Sequence, residues 1–332
     1  MHNPVGYTMR ALVLSDFDTP PSMQDIPPPE PGPDDVRISV SACGLNFADL
    51  LMQRGKYQER PDLPCTLGME VAGVITALGT NVTGFRKGQR IAAFPGLGGL
   101  AQQAVCAANR CVALPEDMSF VDAAGFQIAY GTSHLALEHR ARLQPGETLL
   151  VLGAAGGVGL TAVEIGKAMG ARVIAVARGA EKLEIARAKG ADICLDSDTA
   201  DLRADLRALG GIDVVYDAIG EPLATPALRA LKPEGRFLAI GFAGGKVPQI
   251  PANILLVKNL TVIGLYWGGY LTFDPARLTD SLSTLLAWYS QGRIAPHISH
   301  VLPLDRVDEG FALLRDRKST GKIVIDLNPE AI

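Results

Sequence analysis

Between Val151 and Gly159 the chain reads VLGAAGGVG: an apolar run stops, small residues take over, and an apolar pattern with helical spacing resumes. Such residues leave backbone amides uncovered. Gly156 and Gly157 have no Cβ to hold a ligand away from the main chain. Amides at a helix start face an anion, with the helix dipole behind them. Gly159 lets that helix pack closely on the strand before it. Placed after a strand and opening a helix, the motif predicts a dinucleotide-binding turn, with Ala155, Gly156, Gly157 and Val158 along the pyrophosphate. The end of the next strand selects the dinucleotide: a carboxylate there holds a ribose 2′-hydroxyl, whereas an arginine accommodates a 2′-phosphate. Here ARVIAVA ends at Ala177 and is followed by Arg178, Gly179, Ala180, Glu181 and Lys182. The carboxylate is missing and two cations stand close by. A phosphate would gain charge-assisted hydrogen bonds, so the expected cofactor is NADPH rather than NADH.

Other chemistries find less support. Cys43, Cys65, Cys106, Cys111 and Cys194 are odd in number and scattered, which argues against a disulfide framework. Cys106 and Cys111 are the nearest pair, and no second pair completes a four-thiolate zinc knuckle. The five histidines are equally dispersed; His134 and His139 lie five apart in a predicted helix, on different faces. No metal is expected. No Gly-x-Ser-x-Gly elbow supports a serine hydrolase.

These residues need elements to carry them, and 332 residues are enough for two domains. The hydrophobic share is 48%, the charged share 20% and the net charge −4. Mild acidity argues against non-specific nucleic-acid binding, which leaves a basic footprint. No apolar run approaches the roughly 20 residues of a membrane span, and MHNPVGYTMR lacks the apolar core of a secretory signal. The expected location is the cytoplasm. RALVL at 10–14, VRISVSA at 36–42, EVAGVITAL at 70–78 and QRIAAF at 89–94 read as short strands, with PPPEPGP at 27–33 as a turn-rich connector. From about residue 120 strands alternate with helices: TLLVLG, GGVGLTAVEIGKAMG, ARVIAVA, EKLEIARAKG, DICLD, IDVVYDAIG, PLATPALRALK, RFLAIGF and NLTVIGLYW. That alternation predicts a parallel sheet covered by helices on both faces. A longer helix is expected over 275–290. GKIVIDL at 321–327 reads as a strand beyond the α/β block, returning to the first domain.

This order, with GLNFADL at 44–50, TLGMEVAGVITALG at 66–79 and AAGGVG at 154–159, resembles the zinc-independent quinone oxidoreductase branch of the medium-chain dehydrogenase/reductase superfamily, from about Met9 to Leu327. The resemblance implies an α/β protein with a GroES-like β-rich catalytic domain over 1–125. A Rossmann doubly wound parallel-sheet domain would span 126–267, and 268–332 would return to the catalytic domain. Where the zinc enzymes of the superfamily carry a ligand Cys and a ligand His, this chain has Asn46 and Met69. Met is a poor ligand for Zn²⁺, so simple alcohol oxidation is not expected.

The resemblance also places individual residues. It puts Asn46 near nicotinamide and substrate, its amide donating to the developing oxyanion, and Tyr57 in the substrate pocket as a hydrogen-bond or proton donor. Thr132 would lie beside the carboxamide, Phe242 and Ala243 would border the nicotinamide, and Tyr266, Trp267 and Gly268 would shape the pocket. Arg317, with Lys318 as a near alternative, would reach the 2′-phosphate. Ser197 stands where the family often has a Tyr near that phosphate, so the stacking ring is lost. Glu70 reads as a buried structural carboxylate, Asp49 as a brace for the Asn46 loop, and Cys43 as a core residue.

The resulting expectation is an NADPH-dependent quinone reductase acting on a small molecule, with no nucleic-acid or membrane partner. Strands 259–267 of two subunits would join in a homodimer. A reductase of 2-alkenals, enones or enoyl thioesters is the enzymatic alternative. An NADPH-binding protein without turnover is the other.

Overall fold

The structure, a computed structural model, describes residues 8–199 and 201–327. The chain divides into two units: one runs through Gln127 and resumes at Pro296, and the other is Ile128–Ala295.

The first unit is built on the strand Asp35–Leu45, where Val36, Ile38 and Val40 alternate inward. Two-residue alternation of β-branched side chains suits a half-buried strand. Its pleat then closes over Cys43, Gly44 and Leu45, all buried. The strand pairs antiparallel with Glu70–Leu78, with Gln103–Ala107 and with Lys322–Asp326 in a seven-stranded sheet. Gly73 is required in this register, because a Cβ there would stand 2.1 Å from Ser39 O. The closing strand lies beside the site residues in register, Ile323 opposite Leu45 and Val324 opposite Gly44.

The second unit carries a six-stranded parallel sheet. In spatial order its strands are Ile193–Asp196, Arg172–Ala177, Thr148–Leu152, Ile212–Asp217, Leu231–Ala239 and Thr261–Gly264. Numbered within the unit, that order is 3-2-1-4-5-6, the doubly wound arrangement. TLLVL is buried at every position, as expected of a strand covered on both faces. The order reverses beside it, so the segment after Leu152 opens at the switch point where such sheets bind ligands.

The return to the first unit comes at Pro296 rather than at 268. The helix Pro275–Ser290 begins with Pro275 at its first turn and with the Asp274 side chain accepting from Arg277 N. It buries Leu278, Leu282 and Leu285. It is tied to the second unit by Ser281 Oγ to His134 Nδ1 at 2.9 Å, and Trp288 meets the His134 ring edge-on. Arg293 then donates to Ala168 O, and Ala295 N to Glu164 Oε1, each at 3.0 Å. Strand–helix alternation ends before this helix, and an amphipathic helix carries no sign of which surface it covers.

Candidate functional site

In the second unit the glycine-rich turn has the geometry its composition suggests. Gly153 sits at φ +75°, a conformation L side chains rarely adopt. A Cβ on Gly159 would fall 2.1 Å from Gly153 O, so only glycine lets the helix Gly157–Ala168 start this close to the strand. Gly156 differs: its added Cβ would meet only Gly153 O at 3.4 Å, ordinary contact, so this face of the turn is open. Gly156 is also the N-cap and has no side chain to cap the helix. The N–H groups of Gly157, Val158 and Gly159 have no carbonyl one turn back, and Ala155 leads into them, itself buried. An open face, uncapped amides and a helix dipole fit a pyrophosphate.

The neighbouring strand ends extend this cradle. Ala177 is opposite Asp196 in the parallel register, and Ser197 N donates to Ala177 O. That register brings in carboxylates which the local sequence around Arg178 does not show. Asp196 Oδ2 accepts from Gly179 N at 3.1 Å, and Asp198 Oδ1 faces Arg178 Nε at 3.3 Å. Both members of this ion pair are about two-thirds exposed, at 69% and 65%. Lys182 follows in the first turn of the helix Ala180–Ala188.

Thr132 is buried on the helix Gln127–His134, and its neighbour Ser133 donates to Val158 O at 2.8 Å while meeting Tyr216 Oη at 2.9 Å. That helix is thereby fixed to the cradle. Asp217, buried at the end of the fourth strand, accepts from Ile219 N and Gly220 N. Burial pushes its carboxyl up. Ile219 lies against Gly153, and Ala218 O and Ile219 O accept from Ala243 N and Gly244 N. Phe242 is exposed on this second loop. Thr132, Ala155–Val158 and Ala243 are thus joined through short chains of contacts. Arg178, Lys182 and Ser197 gather at the adjacent strand ends.

The remaining candidates belong to the first unit. Arg317 has φ +56°, with its N–H on Leu314 O. Tyr57 is half-buried in the loop after the helix Phe47–Met52. Asn46 holds the N-cap position of that helix in extended backbone, in a capping box with Asp49. Its Nδ2 donates to Glu70 Oε1 at 2.9 Å and to Gly44 O at 3.3 Å. Its Oδ1 accepts from Lys322 Nζ at 2.7 Å. Lys322 also donates to Glu70 Oε1 at 2.8 Å and to Leu45 O at 2.7 Å. Gly44 makes room for the cluster, since a Cβ there would stand 2.8 Å from Glu70 Oε1 and 2.2 Å from Ala124 O. Lys322 and Asp198 are the residues that sequence reasoning misses.

Asp49 supports the cluster from below, its Oδ2 accepting from Asn46 N at 2.8 Å. Burial pushes its carboxyl up to about 7, opposed by the Asn46 hydrogen bond and by the charge of Lys322. Burial likewise raises the neighbouring Cys43 thiol, which suits a core residue rather than a nucleophile. A carboxyl raised on folding contributes stability that is complete below its unfolded value near 4 and is lost as the pH climbs through its folded value. Asp49→Asn keeps an acceptor oxygen and removes that titration. The variant's stability relative to the parent is therefore expected to rise by on the order of 2 kcal/mol between about pH 5 and about pH 8. Urea unfolding at the two pH values measures this, and a pH-independent difference would refute it.

Among the described residues no three His, Cys, Asp or Glu side chains converge as a metal site would need, and no helix is long and apolar enough to cross a membrane. The Alcohol dehydrogenase GroES-like domain family matches residues 32–116, and the Zinc-binding dehydrogenase family matches residues 157–287. Quinone oxidoreductase-like protein 2 of Mus musculus is 39% identical over 97% of this chain and 93% of its own length. The quinone oxidoreductase of Thermus thermophilus, solved alone and with NADPH, superposes with a TM-score of 0.85 at 35% identity, covering 96% of this chain and all of that one. The Escherichia coli quinone oxidoreductase complexed with NADPH gives 0.87 at 26% identity, covering 96% of this chain and 100% of that one. With both halves of the architecture matched and relatives aligned over nearly its full length, the chain belongs to the medium-chain dehydrogenase/reductase family, among the quinone oxidoreductase-like proteins.

Proposed function

We propose that the protein is an NADPH-dependent, metal-independent quinone reductase. The observation that carries the reading is the open glycine cradle followed by Arg178 at the second strand end, in a fold shared with NADPH-bound quinone oxidoreductases. The amides of Gly157 and Val158 bind the pyrophosphate, with Ala155 and the open face of Gly156 beside them. Arg178, Lys182, Ser197 and Arg317 receive the 2′-phosphate. Thr132, Phe242 and Ala243 hold the nicotinamide end. Bound NADPH supplies the hydride.

A quinone is electrophilic without a Lewis acid, because conjugation spreads the incoming charge over its ring and oxygens. The chain has then to align the acceptor and to offer hydrogen bonds where negative charge develops. Asn46 Nδ2 is the donor, releasing its long contact with Gly44 O, and Tyr57 supplies a further hydrogen bond. Metal independence is supported by the ammonium of Lys322 on Asn46 Oδ1, since a divalent cation there would meet a like charge. Met69, the other matching position, is a buried thioether.

The protein is expected to oxidise NADPH with benzoquinones and naphthoquinones at a rate unchanged by a chelator. Faster turnover of 2-alkenals or enones would assign it instead to reduction of a carbon–carbon double bond, with Tyr57 delivering the proton. NADPH binding without oxidation by either class would make it a binding protein. Stoichiometric zinc required for turnover would refute metal independence.

The assembly we propose is a homodimer joined through Thr261–Gly264, the edge strand of the parallel sheet, where Val262 is exposed. An apolar edge left unpaired invites association. All five cysteines are free thiols, which suits a reducing, cytoplasmic location.

A further inference from the structure

The strand Lys322–Asp326 closes the sheet of the first unit, and lysines in such strands ordinarily point to water. Lys322 is instead buried, and its ammonium meets three acceptors: Leu45 O, Asn46 Oδ1 and Glu70 Oε1. An ammonium has three hydrogens, so the group is fully used and has none left for a substrate. Its effect must pass through a neighbour.

That neighbour is the Asn46 amide. The two ends of an amide are nearly identical in shape and opposite in hydrogen-bonding character. A neutral pocket of hydroxyls would select weakly between them. Here the oxygen end faces a cation at 2.7 Å and the nitrogen end faces a carboxylate at 2.9 Å. Turning the amide over would set Oδ1 against Glu70 and the NH₂ against Lys322. Both contacts would then be repulsive, in a buried setting whose low dielectric strengthens them. Lys322 would also lose one of its three acceptors.

We propose that Lys322 is a positioning residue of the reductase site. Acting with Glu70, it locks the Asn46 amide so that an Nδ2–H, rather than Oδ1, is presented to the acceptor oxygen. The proposal rests on the reductase reading above. One Nδ2 hydrogen is anchored on Glu70; the other makes the longer contact to Gly44 O and is the one exchanged for substrate. A cation on Oδ1 also draws density out of the amide, which strengthens Nδ2–H as a donor. Presented the other way, Oδ1 would place a lone pair against the developing negative charge.

Removing Lys322 alone would strand Glu70 as a buried charge, and the protein could fail to fold. The test is therefore the double variant Lys322→Met/Glu70→Gln, which removes both charges at similar volume. The carboxamide introduced by Glu70→Gln can bond to Asn46 in either orientation, so the selection is lost while packing is kept. Three readouts apply to the full-length protein: the thermal midpoint with the NADPH Kd, kcat for quinone reduction, and the Asn46 side-chain NH₂ resonances after ¹⁵N-asparagine labelling.

The expected result is a folded protein with an NADPH Kd within about twofold of the parent and kcat lowered about 30–100-fold. Adding Asn46→Ala should then cost less than about threefold more, although Asn46→Ala alone costs about as much as the double change. The NH₂ resonances should lose their protection from solvent exchange. A stably folded double variant with parental kcat, or with unchanged NH₂ protection, would overturn the proposal and leave Lys322 a structural ion pair. Should the parent turn over no quinone or enone, the reductase reading fails by itself. The resonances still decide whether Lys322 and Glu70 hold the amide.

Discussion

Gly159→Ala is expected to abolish NADPH binding and to lower the thermal midpoint sharply, whereas Gly156→Ala is expected to impair binding alone. The two glycines lie three residues apart and constrain different things. At Gly159 the new methyl would stand 2.1 Å from Gly153 O and 2.8 Å from Gly153 C. Both are backbone atoms, so the helix Gly157–Ala168 must move off the strand Thr148–Leu152, opening a tightly packed interface. A shift against the main chain costs more than ordinary overpacking, which runs at about 1–3 kcal/mol. At Gly156 the methyl meets nothing closer than 3.4 Å, and the fold accepts it. It then occupies the face that a pyrophosphate must approach, and affinity for NADPH should fall about 30–100-fold. Thermal melts with and without NADPH, together with titration of the cofactor's fluorescence, separate the two. If Gly156→Ala bound NADPH as tightly as the parent, the pyrophosphate would have to lie elsewhere.

Arg178→Ala and Asp198→Asn are expected to move NADPH affinity in opposite directions. Losing the guanidinium removes charge-assisted hydrogen bonds to a phosphate, worth about 1.5–3 kcal/mol. NADPH should then weaken about 10–100-fold, while NADH, with a hydroxyl in that place, should change less than about twofold. Asp198 competes for the same guanidinium at 3.3 Å. Because the pair is largely exposed, solvent screening keeps its strength to at most about 1 kcal/mol. Removing the charge should tighten NADPH roughly two- to fivefold and leave NADH almost unchanged. Equal losses for both cofactors in Arg178→Ala would refute the 2′-phosphate assignment. Weaker NADPH binding in Asp198→Asn would show that the carboxylate orients Arg178 rather than competing for it.

The contrast between these residues shows what a linear reading can reach. The cradle is legible because its residues are consecutive and its constraint is steric: Gly153, Gly156 and Gly159 answer to a turn, an open face and a packing contact within one short stretch. The alternating strands are legible for a similar reason, since TLLVL and ARVIAVA carry their burial in their own composition. Asp198 is not, because it reaches Arg178 only through the parallel register that sets Ala177 opposite Asp196. Lys322 is harder still. GKIVIDL reads correctly as a strand, but its partners Asn46 and Glu70 lie 276 and 252 residues away. A lone lysine at a strand end predicts exposure. The helix Pro275–Ser290 shows a third limit, since amphipathic spacing fixes which face is buried but not against what.

The first unit's sheet is completed only by the strand Lys322–Asp326, which lies between Ile298–Pro303 and Asp35–Leu45. Synthesis on the ribosome delivers that strand only after the whole Ile128–Ala295 unit. The Ile128–Ala295 unit is contiguous and can collapse while the chain is still growing. Asn46 emerges before that unit but receives its anchoring ammonium hundreds of residues later. A nascent or prematurely terminated chain would thus carry a formed nucleotide cradle with an unset amide. Competence for reduction would arrive only with translation of the strand Lys322–Asp326.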